Sequence, residues 1–351
     1  MTSLPPTRVN PKIENNPSKI QLLRLSHTHF QHPDLALFSR FAADFGFTEV
    51  ARNADSTKIY YSGYGIDPFV YIASQSPDGK ARFLGPGFVA ASKADFEKAC
   101  KLEGAEVKDL SDAPGGGEMV TIARPNGTFF SVLYGQEERH VDVSTAEVPT
   151  ATTVDMSSYN YPFHKPRKAR FQRLKEGPAL IHKLGHFGYI STTFDADYAF
   201  YTSTFNFAPS DIAHVPEKDD VDMLVFMHLD LGRRYSDHHC MFLGRAPEGS
   251  ERGFLHHSSY EVNDYDEQMM GHRYLESKGW ESIWGVGRHI LGSQVFDYWQ
   301  DPSGFKIEHY ADGDVVNEEH VVTREPAGPV HVWGPDLPKT FFMEKTLVGY
   351  G

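Results

Sequence analysis

The hexapeptide LGHFGY (Leu184–Tyr189) matches the hexapeptide LSHTHF (Leu25–Phe30), and an amphipathic helical pattern follows each of them. Two further pairs keep the same order, GFVAASKADFEKACKLEGAEV with SYEVNDYDEQMMGHRYLESKGW and RPNGTFFSVLYG with DPSGFKIEHYADG. The offset between equivalent residues grows along the chain: 159 from His27 to His186, 172 from Gly85 to His257, and 177 from Gly127 to Gly304. Ordered self-similarity of this kind indicates a duplicated unit that carries insertions in its second copy.

Periodicity inside each copy predicts a strand, a helix of about three turns and further strands, twice over. The last strand of each copy follows a Pro-x-Gly turn, Pro125–Gly127 in the first and Pro302–Gly304 in the second. Mixed strands with helices on one side favour the α+β class. A length of 351 residues suits two domains.

Composition shifts divide the chain into five segments. The predicted segments are a flexible N-terminal arm (1–20), an N-terminal domain (21–135), a linker (136–180), a C-terminal domain (181–310) and an irregular tail (311–351).

Composition also excludes several classes of protein. The 34 Lys and Arg against 47 Asp and Glu give a net charge of −13, which argues against a nucleic-acid binder. Two cysteines are too few for a disulfide framework. No apolar run has membrane-spanning length, and the first 20 residues lack the apolar core of a signal peptide. We therefore expect a cytoplasmic protein without nucleic-acid or membrane partners.

Histidine is unusually frequent, with 18 residues in all and ten between His214 and His320. At three matched positions the second copy has His186, His257 and Glu308, where the first has His27, Gly85 and Ser131. Two neutral imidazoles and one carboxylate with open positions form the facial triad of non-haem iron oxygenases. Each residue alone is more often structural, but their joint occurrence at matched positions favours a metal site in the second copy.

Strand phase selects among neighbouring candidates. Because side chains alternate along a strand, His256 and His257 are predicted to face opposite sides, with His257 as the ligand and His256 towards the core. Glu308 is predicted to face away from Ile307, and a buried carboxylate there would be costly without a cation. In the first copy, His27, His29 and His32 have no acidic partner at the matched site and are interpreted as structural.

These motifs resemble a known family. Leu180–Tyr310 is similar to the catalytic domain of type I extradiol ring-cleaving dioxygenases of the vicinal oxygen chelate superfamily, through Gly287–His289, Tyr298, Asp301–Gly304 and Glu308. The resemblance implies two domains, each of paired βαβββ modules forming a cup, with metal in the C-terminal cup alone. It also implies Fe(2+), with Mn(2+) as the alternative, and cleavage of a catechol-type ring by O2 with both oxygen atoms incorporated.

The resemblance assigns further roles. His239 would stabilise bound oxygen and donate a proton, although the neighbouring His238 leaves the register open by one residue. His289 would bond a substrate hydroxyl, and Tyr298 would contact the catechol oxygen that loses its proton. Substrate contacts are predicted for Trp284, Trp333 and His238. Trp284 stands where a charged clamp for an aryl acid would be, which favours an uncharged substrate. The tail segment His331–Pro335 resembles the segment that covers the pocket in relatives acting on bulky catechols, so a two-ring catechol is expected.

Other functions remain open on the sequence alone. A glyoxalase-type isomerase or lyase would share the fold but gather two acidic ligands from separate modules. A 4-hydroxyphenylpyruvate-dioxygenase-like enzyme would share the triad but lack the Arg-His and Tyr run. A metal-free binding protein of the bleomycin-resistance kind would not need the three converging ligands. The resemblance further implies a homo-oligomer.

Overall fold

The structure, a computed structural model, describes residues 12–141, 160–165, 167–169, 171 and 174–343. It consists of two sheet-rich halves with few helices. The elements of the N-terminal half are β1 (Leu22–His32), α1 (Leu35–Phe45), β2 (Thr48–Arg52), β3 (Lys58–Ser62), β4 (Tyr71–Gln75), β5 (Arg82–Ala90), α2 (Lys93–Ala99), β6 (Ala105–Asp109), β7 (Glu118–Ala123) and β8 (Phe129–Tyr134). They form two βαβββ units in one sheet, ordered β2-β3-β4-β1-β5-β8-β7-β6.

The C-terminal half repeats this plan and extends it. Its elements are β9 (Lys183–Ser191), α3 (Phe194–Thr204), β10 (Phe207–Val215), β11 (Lys218–Leu229), β12 (Ser236–Asp237), β13 (Met241–Arg245), β14 (Phe254–Glu261), α4 (Tyr265–Ser277), β15 (Glu281–His289), β16 (Val295–Gln300), β17 (Lys306–Ala311), β18 (Val315–Val316), β19 (Thr323–Pro326) and β20 (His331–Trp333). The main sheet has the order β19-β10-β11-β13-β9-β14-β17-β16-β15-β20, and β12 pairs with β18.

Strand register confirms the duplication residue by residue. In the C-terminal half, Ser259 lies opposite both His186 and Glu308. In the N-terminal half, Gly87 lies opposite both His27 and Ser131. These pairings reproduce the three sequence offsets, so the predicted α+β fold with paired βαβββ modules is confirmed.

Local sequence explains how the first helix begins and ends. The Asp34 side chain accepts a hydrogen bond from the Leu37 amide and caps the N-terminus of α1. Gly46 ends the helix at a φ of 102°. A Cβ at this glycine would lie 1.8 Å from the Ala179 carbonyl oxygen, so glycine is required where the end of the predicted linker packs against α1.

The two halves share one core. The Phe45 ring from α1 stacks on His309 from β17 with ring centroids 3.7 Å apart, and the His309 Nε2 donates to the Phe45 carbonyl at 2.8 Å. The hydroxyls of Thr28 and Tyr260 are 2.8 Å apart and buried. Because His309 follows Glu308 directly, this interface holds the strand that carries the predicted carboxylate.

Three expectations about segments are revised. The end of the predicted flexible arm is packed, since Lys19 and Ile20 are buried and Ile20 pairs with Phe205, while residues 1–11 lie outside the described residues. The linker ends in buried contacts from Ala179 onwards, and most of its middle is likewise outside them. The tail contains β18, β19 and β20, and the last two extend the main sheet at both edges. Within the described part of the chain, no helix is both long enough and apolar enough to span a bilayer.

Candidate active site

Three neighbouring strands bring the predicted ligands together. His186 on β9, His257 on β14 and Glu308 on β17 are all buried. The two histidine Nε2 atoms are 3.0 Å apart, and the Glu308 Oε2 lies 3.2 Å from that of His186 and 3.3 Å from that of His257. Among the described residues, this is the group of His, Cys, Asp and Glu donors that could hold a metal ion.

The donor spacing fits a metal ion bound on one face. Donors about 2.1 Å from an ion and at right angles to one another lie about 3.0 Å apart. Within the described residues, no hydrogen bond reaches either carboxylate oxygen of Glu308 or the His186 Nδ1. A buried carboxylate left without donors is costly, whereas a divalent cation would satisfy it. The residues present therefore fit the metal that the sequence predicted.

Protonation also suits metal binding. Burial opposes ionisation of Glu308, but its contacts with His186 and His257 outweigh burial and hold its pKa well below the usual value. Burial lowers the pKa of His257 to about 4. A carboxylate and a neutral imidazole are the forms in which these side chains bind metals.

A bulge in β14 corrects the phase argument for His256. The register against β9 shifts between Leu255 and His257, so the two adjacent histidines do not point to opposite faces. Their Nδ1 atoms are 2.7 Å apart, and the His256 ring contacts Phe341 and Phe342 of the tail instead of the core. The ligand prediction for His257 agrees with the geometry, but the predicted position of His256 was wrong.

The backbone separates the roles of the adjacent His238 and His239. The His239 ring lies 4.1 Å from the ring of His186. His238 points elsewhere, with its Nε2 2.6 Å from an Asp211 carboxylate oxygen. The structure therefore places His239 beside the candidate ligands, and His238 reaches them only through His239.

His289 and Tyr298 form a hydrogen-bonded pair on the opposite flank. The His289 Nε2 is 2.9 Å from the Tyr298 hydroxyl, and its Nδ1 is 3.0 Å from the Val330 carbonyl oxygen. Since the carbonyl can only accept, Nδ1 carries the proton and Nε2 accepts from the tyrosine. The Tyr298 ring lies 5.3 Å from His257, and burial raises its pKa well above the usual value. The hydroxyl is therefore a protonated donor.

The predicted substrate contacts divide into two groups. Trp284 stacks on Tyr298 with ring centroids 5.8 Å apart and donates from its indole nitrogen to the Pro335 carbonyl. Trp333, by contrast, is 41% exposed and packs on Tyr265. The Trp333 ring is thus partly exposed on edge strand β20, and the His238 imidazole is held by Asp211. Their predicted contacts with substrate stay predictions.

Sequence reasoning missed the part of the tail that covers the centre. The Phe341 ring is buried and lies 4.9 Å from both Trp284 and Tyr298. The Lys306 ammonium lies 4.2 Å from the centre of that ring and donates to the Phe341 carbonyl. Alternation along β17 could have placed Lys306 on the face of Glu308, but no pattern in the tail singles out Phe341.

Fold and site together define a class of protein. Paired βαβββ units whose three neighbouring strands converge on a histidine–histidine–glutamate centre form a vicinal oxygen chelate fold with one candidate metal site. Residues 183–309 match the Glyoxalase/Bleomycin resistance protein/Dioxygenase superfamily, and the C-terminal half belongs to it. The predicted superfamily is thereby confirmed for this part of the chain.

Two relatives match across nearly the whole chain. Metapyrocatechase 2 of Cupriavidus necator is 27% identical over 325 residues, covering 90% of this chain and 90% of the relative. The 3-methylcatechol 2,3-dioxygenase of Pseudomonas putida is 22% identical over 325 residues, covering 90% of this chain and 98% of the relative. Both matches extend over both halves.

A solved structure shows the same architecture. Homoprotocatechuate 2,3-dioxygenase of Brevibacterium fuscum, in complex with 3,4-dihydroxyphenylacetate, superposes with a TM-score of 0.71 at 14% identity. The match covers 95% of each chain. At this identity the likeness shows the fold alone.

Proposed function

We propose that this protein is an extradiol dioxygenase that cleaves the ring of an uncharged catechol with O2. The observation that carries the proposal is the convergence of His186, His257 and Glu308 with His239 on one flank and the His289–Tyr298 pair on the other. The triad would hold Fe(2+), or alternatively Mn(2+). The ion would supply Lewis acidity that favours ionised diol oxygens and a site for dioxygen chemistry.

The protein groups on the two flanks would divide the proton transfers. The Tyr298 hydroxyl donates its one proton to the His289 Nε2, so its oxygen would accept a hydrogen bond from one catechol hydroxyl, and His289 would hold it in place. His239 would exchange a proton with the oxygen side of the reaction, because its ring lies against His186. The walls are aromatic, and bulk water would therefore be excluded.

The overall reaction balances without an external reductant. The carbon–carbon bond beside the diol and the O–O bond break, and both atoms of O2 enter the ring-opened product. The four electrons needed to reduce O2 come from the catechol carbons. The two diol protons are retained overall, so the site needs to move protons rather than supply them.

The tail supports a substrate of limited size. Phe341 covers Trp284 and Tyr298, and Lys306 fixes its backbone. We infer that this segment is the lid that the sequence predicted. In place of the two-ring substrate expected from the sequence, we infer that single-ring catechols fit beneath it more readily. The name of the Pseudomonas putida relative refers to a single-ring catechol and agrees with this inference.

The glyoxalase-type alternative is less well supported. It expects two acidic ligands from separate modules, but the described donor group contains one carboxylate, Glu308. The residue matched to Glu308 in the N-terminal half is Ser131. The 4-hydroxyphenylpyruvate type does not account for the His289–Tyr298 pair.

Oxygen uptake tests the proposal. Protein loaded anaerobically with Fe(2+) is mixed with catechol, 3-methylcatechol or a two-ring catechol, and O2 consumption is followed with the absorbance of the yellow product. We expect one O2 to be consumed for each catechol cleaved. With isotopically labelled O2, both labelled oxygen atoms should be found in product that is quenched rapidly. Bound iron without uptake on any catechol would contradict the proposal and direct attention to keto acids and glyoxalase-type substrates.

Two expectations accompany the enzymatic proposal. A cytoplasmic location is consistent with the two free cysteines, Cys100 and Cys240. A homo-oligomer is expected from the resemblance alone. Cell fractionation and light scattering during gel filtration would test them independently of activity.

A further inference from the structure

A buried chain of three side chains leads away from the candidate metal centre. An oxygen of the Asp211 carboxylate is 2.6 Å from the His238 Nε2, and the His238 Nδ1 is 3.1 Å from the His239 Nδ1. All three residues are at most 6% exposed. One ring nitrogen of His239 is therefore hydrogen-bonded to His238, which is itself hydrogen-bonded to the Asp211 carboxylate.

Donor and acceptor rules fix the proton positions along this chain. An ionised carboxylate can only accept, so the His238 Nε2 carries a proton and donates it to Asp211. In neutral His238 the Nδ1 is then an acceptor, and the proton between the histidines must belong to the His239 Nδ1. The remaining atom, the His239 Nε2, is left with a free lone pair. The carboxylate thus sets the tautomers of two successive histidines.

Surrounding contacts hold the chain in this arrangement. The Thr323 hydroxyl donates to the second Asp211 oxygen, and the hydrogen bonds from His238 and Thr323 outweigh burial to keep the pKa of Asp211 below its usual value. The His238 backbone amide donates to the Asp314 carbonyl at 2.9 Å. At Gly292, a Cβ would lie 2.9 Å from the His238 Nδ1, so a side chain there would crowd the contact with His239.

A cavity of about 510 Å³ borders the outer part of the chain. Asp211 and His238 contribute to its wall together with His320, whereas His239 and the three candidate ligands do not. Asp211 and His238 therefore lie between this cavity and the buried His239.

We propose that Asp211 and His238 are positioning residues that hold His239 in its Nδ1-protonated tautomer and leave its Nε2 free towards the metal centre. The catalytic meaning of this arrangement rests on the proposed function, but the tautomer does not. With Nε2 unprotonated, His239 is set to accept a proton first and to return it later.

Nitrogen-15 NMR tests the tautomer directly. Histidine-labelled protein loaded with diamagnetic Zn(2+) is compared with His239→Gln to assign the His239 signals. We expect the Nδ1-protonated pattern in the native protein, and a shift towards Nε2 protonation in His238→Phe, which offers no acceptor. His238→Gln offers a carbonyl acceptor and is expected to restore the native pattern. An Nε2-protonated His239 in native protein, or an unchanged tautomer in His238→Phe, would overturn the proposal.

Kinetics provides the second measurement. In Fe(2+)-loaded protein, His238→Phe is expected to lower kcat by about 10–100-fold with unchanged metal content and catechol KM, and His238→Gln to recover most of the loss. His320→Gln, which changes another residue of the cavity wall, is the matched control and should leave kcat and the His239 tautomer unchanged. Equal losses in all three variants would show a general structural effect and contradict positioning. Inactive native protein with the expected tautomer would instead count against the proposed function alone.

Discussion

The two cups have the same backbone plan but opposite chemistry. Strand register makes five residues of the C-terminal cup equivalent to five of the N-terminal cup: His186 and His27, His239 and Phe69, His257 and Gly85, Tyr298 and Thr121, Glu308 and Ser131. All five C-terminal residues can bind a metal ion or exchange a proton, whereas of their five N-terminal equivalents only His27 has such a side chain. The fold itself therefore does not require a metal centre.

The N-terminal cup shows what fills the space when the centre is absent. The His27 ring packs on Phe69 at 4.9 Å, and burial lowers the pKa of His27 to about 3, so this imidazole is neutral. A Cβ on Gly87 would lie 2.2 Å from the His27 ring. Here the histidine is a packing residue, as the sequence predicted. The same residue type at equivalent positions thus serves packing in one cup and lies in the candidate metal centre in the other.

The largest expected effect comes from breaking the C-terminal triad. His257→Ala should reduce bound iron to background and abolish oxygen uptake together, because two donors remain of a three-donor site. Metal content is measured by mass spectrometry after gel filtration. Ser131→Ala, which alters the N-terminal counterpart of Glu308, is the control and should retain both. Full iron content in His257→Ala would contradict the assignment.

The next largest effect is expected from His239→Phe. This variant gives the C-terminal cup the residue type that the N-terminal cup has at the equivalent position, Phe69. We expect the variant to fold and to bind iron and catechol. Its turnover should fall by about 100–10,000-fold, the range for a lost acid–base group. Stopped-flow kinetics with anaerobic catechol binding separates the two steps. Unchanged turnover would assign proton transfer elsewhere.

The reverse conversion should fail. Gly85→His with Ser131→Glu supplies the missing ligand types, but Gly85 has a φ of 141° and its Cβ would lie 1.8 Å from the Phe129 carbonyl oxygen. We expect the free energy of unfolding to fall by about 4 kcal/mol or more, without a second metal. Urea unfolding and iron stoichiometry measure this. Two irons per chain would show that side chains alone distinguish the cups.

The lid has no counterpart in the N-terminal half of the described chain, and it gives a smaller expected effect. Phe341→Ala should improve kcat/KM for a two-ring catechol relative to 3-methylcatechol by about 10-fold, as expected when one aromatic contact is removed. Lys306→Met should act in the same direction but less strongly, since it releases the Phe341 backbone alone. An unchanged substrate ratio in both variants would argue against a lid.

The smallest expected effect concerns Glu267 and Asp95, which occupy equivalent positions in the two halves. Each accepts a hydrogen bond from a backbone amide, and the two amides are also at equivalent positions. Glu267 accepts from the Leu180 amide, and Asp95 accepts from the Gln21 amide. Burial raises the pKa of Glu267 to about 7. Burial acts in the same direction on Asp95, but hydrogen bonds from Ser92, Lys98 and Gln21 outweigh it and lower its pKa. The two groups should therefore give stability profiles of opposite sign.

The sign follows from proton binding. Folded Glu267 holds its proton better than the unfolded chain, so its contribution is present below about pH 4.5 and is lost towards pH 7, at about 1 kcal/mol per pH unit. Asp95 contributes above its ordinary pKa and loses that contribution as the pH falls. Urea unfolding from about pH 2.5 to 8 should show a flatter profile between pH 4.5 and 7 for Glu267→Gln, and weaker acid sensitivity below about pH 4 for Asp95→Asn. Parallel profiles for both variants would contradict the difference.

Sequence reasoning succeeded where local pattern decides the structure. The duplication offsets located His186, His257 and Glu308, because strand register repeats with the modules. It failed at the His256–His257 bulge, because alternation assumes an unbroken ladder. The correct residue was chosen there, but the expected orientation of its neighbour was wrong.

Long-range contacts were beyond the reach of pattern. Phe341 reaches Tyr298 across a tail with three short strands, and no periodicity selects it over Trp333. Likewise, the sequence cannot tell which of the adjacent His238 and His239 lies beside the candidate ligands. The answer depends on Asp211, which binds His238 from the distant strand β10. Such pairings depend on how edge strands and loops close over the sheet.

Anomalous diffraction at the iron edge tests the central claim, that one cup holds the metal and the other cannot, most directly. Crystals of Fe(2+)-loaded protein should give one strong peak per chain, between His186, His257 and Glu308, and none beside His27. A peak beside His27, or iron bound elsewhere with the triad empty, would contradict the account.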